Sequence, residues 1–412
     1  MIRSLSTAVT GLASHQDKMD VVGNNIANVN TTAFKNDHAR FQDLISQTIG
    51  GATAPLEDRG GVNPNQVGLG TQLGATVTDH TQGAIETTGR ATDLAIEGEG
   101  FFIVSDGQVD YHTRDGSFDI DSNRELVNSD GMKVMGWMDD DPDPTDELEP
   151  LRIPLGEGME AQASSNLGFS GNLDADAEDG EEHSIEYYLF DSLGRRHDIE
   201  ITFTKNGENN GENNGENEWS VTITDEGEES IEENDITLEF DDDGNLENDD
   251  EEFRLDLEID DLDEDLTVDL DFSNITQLAS ESVIEVETHD GFGAGELVSF
   301  EVEESGAVRG TYTNGMREVL GHVAMSTFAN PEGLSKEGGN LFEETANSGE
   351  ASIGLPGQQG RGVIQDSALE MSNADLAEEF TELVTTSRGF QANTRVISSS
   401  DEILTEVINM QR

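Results

Sequence analysis

The sequence predicts a mixed α and β, multidomain protein, with paired N- and C-terminal coiled-coil helices and two mainly antiparallel β domains. Three observations support this fold class. Apolar residues recur every seven positions at both ends of the chain, and apolar and polar residues alternate through much of its middle. The length of 412 residues corresponds to two to four domains of roughly 100–200 residues each.

The N-terminal helix is indicated by two neighbouring lines of seven-residue spacing. One line is Leu5, Leu12, Met19 and Ile26, and the other is Met1, Ala8, His15, Val22 and Val29. Together they give an alternating three- and four-residue spacing over about four heptads, which is typical of a coiled-coil seam. Because such a seam is narrow, it favours another helix as its partner.

The C-terminal segment carries the matching pattern. Its apolar line is Leu369, Leu376, Leu383, Phe390, Ile397 and Leu404. Residues 366–410 contain no proline and a single glycine, so one helix of about 60 Å is possible at a rise of ~1.5 Å per residue. The alternative is that both terminal helices are ordinary amphipathic helices packed on a globular core.

A cluster of amides ends the N-terminal helix, in the sequence VVGNNIANVNTTAFK of residues 21–35. Asparagine is a mediocre helix former that competes for backbone hydrogen bonds. One hypothesis is that Asn24, Asn25 and Asn28 satisfy backbone groups and form hydrogen bonds across packed subunits, which fixes their register. The other is that these amides only cap and fray a helix end.

The middle of the chain predicts β structure. Leu94 to Gly107 resembles a strand, a tight turn and a strand, and Asn314-Gly315 between β-prone residues predicts a hairpin turn. Strong alternation begins near residue 183, is interrupted by the low-complexity repeat 206–217, and changes phase at Asp260-Asp261. The predicted domains are 1–30 with 366–412 (helical), 31–74 (linker), 75–157 with 287–365 (mainly β) and 158–286 (acidic β).

The charge of the chain restricts its partners. Acidic residues outnumber basic ones by 89 to 21, and the net charge of −68 opposes binding to nucleic acid or to an anionic membrane. Residues 171–280 carry a net −35, whereas residues 1–50 are neutral. Residues 367–412 carry only −5, so both ends of the chain are expected to pack on protein. The overall composition predicts a halophilic acidic protein.

The sequence offers no chemistry for catalysis. Cysteine is absent, so no disulfide or cysteine-ligated metal site is expected. GLGTQLG at residues 68–74 lacks the spacing and the preceding strand of a dinucleotide loop. Asp119 to Asp130 begins like a calcium loop, but Arg124 stands where glycine is needed. We predict no catalytic residue, no cofactor, no metal site and no enzyme activity. No membrane span and no cleavable signal peptide are predicted either.

The terminal segments resemble those of a known family. The two terminal segments are MIRSLSTAVTGLASHQDKMDVVGNNIANVNTTAFK and ALEMSNADLAEEFTELVTTSRGFQANTRVISSSDEILTEVINMQR. They closely resemble the N- and C-terminal signatures of the bacterial flagellar rod and hook axial protein family. Two further segments are similar to those that lie just inside the family's terminal signatures: HTQGAIETTGRATDLAIEGEGFFIV and FANPEGLSKEGGNLFEETANSGE. The large segment that includes SGNLDADAEDGEEHSIEYYLFDSLGRRHDIEITF resembles the outer domain of the hook members.

This resemblance implies a function and a set of partners. It implies a structural hook subunit that self-assembles into a flexible hollow helical tube, which transmits torque from the rod to the filament. The terminal helices would form the inner layer and the acidic β domain the outermost one. The implied partners are the distal rod protein, the hook cap protein, the hook-filament junction proteins and the flagellar type III export apparatus, with no nucleic acid and no membrane. The alternatives are a distal rod-type axial protein or a secreted acidic adhesin.

Overall fold

The structure is a computed structural model of the chain. It describes residues 2–55, 60–139, 142–143, 145–206, 217–225, 236–241, 243–247, 253–257 and 266–410. Helix α1 is Ile2–Ala27 and helix α2 is Leu376–Met410. They pack against each other, which together with the sheets confirms the predicted fold class. Within the described residues, neither helix combines the length and apolarity that a membrane crossing needs.

The strands between the helices are short in the first third of the chain and longer in its middle. Up to residue 150 they are β1 (Asp37–Asp43), β2 (Ser46–Gly50), β3 (Asn65–Gly68), β4 (Thr71–Thr78), β5 (Ile85–Thr87), β6 (Leu94–Glu97), β7 (Phe101–Ser105), β8 (Asp110–Thr113), β9 (Asp119–Ile120), β10 (Leu126–Val127), β11 (Lys133–Trp137) and β12 (Glu149–Pro150). The next are β13 (Gly158–Met159), β14 (Asn166–Asp174), β15 (Glu182–Phe190), β16 (Arg196–Lys205), β17 (Glu218–Asp225), β18 (Ile236–Glu239), β19 (Phe253–Leu257), β20 (Leu266–Leu278) and β21 (Val283–His289). The last are β22 (Gly295–Val302), β23 (Ala307–Tyr312), β24 (Arg317–Val323), β25 (Met325–Thr327), β26 (Ser335–Gly338), β27 (Leu341–Glu343), β28 (Ser352–Gly354), β29 (Val363–Asp366) and β30 (Ala368–Glu370).

The chain divides into two compact units. Unit 1 is Met1–Ile153, Phe300–Arg309 and Val319–Arg412, and unit 2 is Pro154–Ser299 and Gly310–Glu318. In unit 1, strand β7 pairs antiparallel with β8, β11 and β25, and its residues Phe101 to Ser105 are all buried. Strand β6 pairs with β29, and β5 with β30, so segments from both flanks of the chain join in this unit.

Unit 2 contains two four-stranded sheets that share one hydrophobic core. The strand orders are β19-β20-β14-β21 and β15-β16-β17-β18. Phe203 of one sheet meets Phe169 and Phe272 of the other, and all three rings are buried. The alternation seen in the sequence is therefore the inward face of each sheet. The pairs are antiparallel except for β14 with β20, which is parallel.

The hairpin predicted at Asn314-Gly315 is confirmed, because Tyr312 N donates to Met316 O at 3.0 Å and Gly315 has a φ of 83°. Strands were also correctly predicted on either side of Gly98–Gly100. The phase change at residues 260–261 and the repeat, apart from Asn206 and Asn217, lie outside the described residues.

Two predictions were wrong. Residues 31–74 were expected to form a linker, but they contain β1, β2, β3 and the start of β4, because β1 pairs with β4 and β2 pairs with β3 as antiparallel ladders. Helix α2 was expected to extend back to residue 366, but it begins at Leu376. Asp375 caps it by accepting from Ala377 N at 2.7 Å, while Leu369 lies in strand β30.

Candidate assembly interface

The close contacts between α1 and α2 join glycines and polar side chains. On α1 the buried side chains are Ala8, Ser14, Val22 and Asn25, and on α2 they are Glu379, Thr386 and Ser400. Lys18 of α1 forms an ion pair with Glu382 of α2. The seam therefore exists as predicted for the two ends of the chain, but its closest contacts are not made by large apolar residues.

The apolar residues proposed for assembly lie beside this contact. Leu5, Leu12, Met19 and Ile26 are half-buried on a line next to Ala8, Ser14 and Val22. Leu383, Phe390, Ile397 and Leu404 are half-buried and alternate along α2 with the buried polar residues. Leu376 is 42% exposed, and Leu369 lies outside the helix. A single chain thus leaves part of this apolar surface uncovered.

Two glycines allow the helices to approach closely. A Cβ atom on Gly389 would lie 2.7 Å from Cε1 and Nε2 of the His15 ring, and one on Gly11 would lie 2.8 Å from Asn393 Nδ2. Burial, reinforced by the charge of Lys18, lowers the pKa of His15. The imidazole therefore packs on Gly389 in its neutral form.

Replacing Gly389 with alanine is expected to weaken the helix pair by about 1–3 kcal/mol, the usual cost of overpacking. Alanine also favours an isolated helix by up to ~1 kcal/mol, so the clash and the propensity act in opposite directions. Gly23→Ala is the matched control, because a Cβ on Gly23 of α1 meets nothing within 4 Å. Hydrogen exchange of α1 should be faster in Gly389→Ala and unchanged or slower in Gly23→Ala. Equal protection in both variants would contradict the packing of His15 on Gly389.

The amide cluster closes the seam at the end of α1. Asn25 is 1% exposed, and its Nδ2 donates both to Asp37 O and to Glu379 Oε1, at 2.9 Å each. Its Oδ1 accepts from Asp37 N at 3.0 Å. Asn28 instead bonds locally to Asn24, through Asn24 O at 3.0 Å. Asn25 therefore ties α1 to both α2 and β1, whereas Asn24 and Asn28 cap the helix end.

A buried ionic cluster joins the segments that leave the helices. Glu370 accepts from Lys35 Nζ at 2.6 Å, from Gly83 N at 2.8 Å and from Arg114 Nη1 at 3.4 Å. Lys35 Nζ also donates to Thr81 O at 2.8 Å. Burial lowers the pKa of Lys35 and of Arg114, and in both cases the Glu370 charge opposes that shift. We name this set, Lys35, Arg114 and Glu370, the junction cluster.

Asn373 adds a second link at the junction. Its Oδ1 accepts from Asn36 N at 2.8 Å, and its Nδ2 donates to Asp79 O at 2.9 Å. Lys336 belongs neither to the junction cluster nor to the Asn373 bonds, and it donates to Asp37 Oδ1 at 2.8 Å. The chain between α1 and β1 and the chain between β30 and α2 are thus fixed to each other within unit 1. Sequence reasoning missed this junction, because a single lysine or glutamate carries no periodic signal.

Four family models match the chain. They are the flagella basal body rod protein (residues 5–35), the flagellar hook protein FlgE/F/G D1 domain (95–167), the flagellar basal body protein FlaE D2 domain (160–292) and the flagellar basal body rod FlgEFG protein C-terminal (365–410).

Full-length relatives agree with these matches. The flagellar hook protein FlgE of Borreliella burgdorferi is 39% identical, with all of both chains covered. That of Escherichia coli is 31% identical over 99% of this chain and 100% of its own. The flagellar basal-body rod protein FlgG of Bacillus subtilis is 29% identical over the whole of both chains. In fold, the chain is similar to the crystal structure of Helicobacter pylori flagellar hook protein FlgE2, with a TM-score of 0.56 and 16% identity over 69% of this chain and all of that one.

Proposed function

The chain belongs to the flagellar hook protein family, as a structural subunit of the hook, and we propose that it polymerises through its terminal helices into a hollow, flexible tube that transmits torque. The observation that carries this proposal is the apolar surface that the helix pair leaves uncovered. A coiled-coil stripe without a partner in the single chain is stabilised when neighbouring helices cover it.

Part of the uncovered surface lies on two flanks of α2. Leu376, Phe380 and Val384 follow one another at four-residue intervals and are 42–52% exposed. Val396 and Ile403 lie on the other flank of the same helix, 43% and 48% exposed. A helix with apolar flanks on both sides suits a packed layer of helices, in which each helix touches neighbours from other copies.

A second assembly surface is the β arm, which we define as residues 44–55 and 60–70 around strands β2 and β3. Ile45 is 82% exposed and Ile49 is 59% exposed. Between Asp43 and Asp79 the only charged residues are at positions 57–59, in a chain that is 27% charged. A two-stranded ladder is marginal alone in water, so a neighbouring copy is the expected cover for this uncharged arm.

The proposal also covers the position of the acidic unit, the partners of the subunit and its export route. We propose that unit 2, which contains the whole −35 segment, faces water. The resemblance to the axial proteins supports the distal rod, hook cap and hook-filament junction proteins as partners. It also supports export through the flagellar type III apparatus. The 412 residues contain no cysteine, so no disulfide opposes unfolding before export.

Electron microscopy of the purified protein tests the proposed function. Curved hollow tubes are expected in molar salt, and they should fall apart near 0.1 M salt. The screening length increases from ~3 Å at 1 M to ~10 Å at 0.1 M, so repulsion between neighbouring acidic units becomes stronger. Apolar contacts between helices do not compensate, since excluded salts strengthen them.

Light scattering during stepwise dialysis would follow the loss of tubes. Monodisperse particles at every salt concentration would contradict assembly into a tube. Tubes that persist equally at all concentrations would contradict only the charge argument, and would indicate that cations or arginines compensate the acidic residues.

A further inference from the structure

Glu379 is a buried carboxylate in the seam between the helices. It is 2% exposed, and its Oε1 accepts the hydrogen bond from Asn25 Nδ2. Its other oxygen, Oε2, is buried and has no hydrogen-bond partner in the part of the chain that the structure describes. A buried charged oxygen without a partner costs free energy that it would not cost in water. Packing α1 on α2 therefore costs free energy at Glu379, because it buries this oxygen without a partner.

The charges around Glu379 do not relieve this cost. From α1, the charge of Lys18 is paired with Glu382, one turn further along α2. From β1, His38 exerts a favourable charge interaction, while Asp37 contributes its backbone to Asn25. From α2 itself, Glu378 and Glu382 repel the carboxylate. Asn25 has already used both hydrogens of its amide, so it can offer nothing to Oε2.

We propose that Glu379 is a pH-dependent latch of the helix pair: its carboxylate opposes closure of α1 onto α2, and its protonated acid permits closure. The proposal rests on the proposed function, because it describes how the helix pair of a free subunit is kept weak before assembly. A subunit whose helix pair opens more often at neutral pH presents a finished seam to other subunits less often. Contacts with neighbours in the polymer then supply the free energy that closes it.

The sign of the effect follows from burial. Desolvation raises the pKa of Glu379 above its usual value of 4.5, and repulsion from Glu382 adds to the shift. The closed state therefore binds the proton more tightly than the open state. Closure is most favourable below pH 4.5, and it is progressively lost as the pH rises through the raised pKa. At neutral pH the full cost of burying the ionised carboxylate opposes closure of the helix pair.

Glu379→Gln in the free, full-length subunit tests the latch. Glutamine keeps the acceptor for Asn25 and removes the charge. Hydrogen exchange of residues 2–27 and 376–410 should show higher protection in this variant than in the wild type at pH 7. The increase should be about tenfold for each unit by which burial raises the pKa. At pH 5, above the pI of about 4.1, the difference between the two proteins should be smaller than at pH 7.

Glu382→Gln is the matched control, because it removes the same charge one turn away, where the side chain is partly exposed and paired with Lys18. It should not increase protection at pH 7, and it should keep the acid dependence. Equal protection in Glu379→Gln and the wild type at pH 7, or an equal gain in Glu382→Gln, would overturn the latch. Sedimentation of the same proteins reports assembly separately, so a protected helix pair that never polymerises would count against the proposed function and not against the latch.

Discussion

Glu370→Gln is expected to destabilise unit 1 by about 3–5 kcal/mol, the usual cost of breaking a buried ion pair. Glu370 is 1% exposed and is the only carboxylate bonded to Lys35 and Arg114 in the junction cluster, among the contacts of the described residues. Glutamine would leave two buried cations without a counterion. It would also replace one acceptor oxygen with an NH2 group, so either the bond from Arg114 at Oε2 or the bonds from Lys35 Nζ and Gly83 N at Oε1 would be lost.

Variants of the junction cluster should differ in how much they destabilise unit 1. Lys35→Met should cost less than Glu370→Gln, because Glu370 then remains paired with Arg114. Glu125→Gln is the matched control. Lys133 donates to Glu125 at 2.8 Å, a similar distance, but the Lys133 side chain is 43% exposed. This exposed pair should contribute no more than about 1 kcal/mol.

Tryptophan fluorescence during denaturation can follow unit 1 alone. The chain has two tryptophans, Trp137 in unit 1 and Trp219 in unit 2, so a Trp219→Phe background leaves the buried Trp137 as the reporter. If Glu370→Gln and Glu125→Gln shifted the unfolding midpoint equally, the junction cluster would not be the link that holds the terminal segments on the sheets of unit 1.

The sequence predicted the elements whose signal is periodic. The helix pair and the alternating strands of unit 2 each repeat over enough residues for the pattern to exceed chance. The same reasoning failed at Leu369, because its position continues the seven-residue line although the chain there pairs as strand β30. The cap at Asp375 ends the helix, and one aspartate among many acidic residues gives little warning of it.

The second seven-residue line, which includes Ala8, His15 and Val22, correctly marked the side of α1 that is buried, but the two glycines of the closest approach carry no apolar signal. Gly11, His15 and Gly389 lie at the closest approach of the helices, where small side chains decide the distance. Lys35 and Glu370 are 335 positions apart, and only the folded chain shows that they form a pair. Long-range polar partners of this kind have no local sequence signature, whereas the amides near residue 25 were at least visible as an anomaly in a helix.

Deleting residues 376–412 is expected to abolish assembly and to leave the sheets of unit 1 folded. The deletion removes α2 with its exposed flanks, and it keeps Asn373 and the junction cluster, whose bonds lie before Leu376. Each large apolar side chain that loses its burial in the polymer removes about 1.5–3 kcal/mol per subunit. In the truncated chain α1 loses α2 and keeps only its packing on β1 and β4, so protease should remove it first.

Sedimentation of the truncated protein under assembly conditions measures the effect, and Trp137 emission checks that unit 1 remains folded. A full-length Phe380→Gln variant separates the two roles of α2. Phe380 is 52% exposed in the single chain, so the change should leave the pairing of α1 with α2 intact while it weakens contacts with neighbouring copies. This variant should raise the protein concentration needed for tubes by at least about tenfold, since 1.4 kcal/mol corresponds to that factor. If the truncated chain still pelleted as long tubes, assembly would rest on the β arm or on unit 2, and the helical layer would be a lining rather than the source of cohesion.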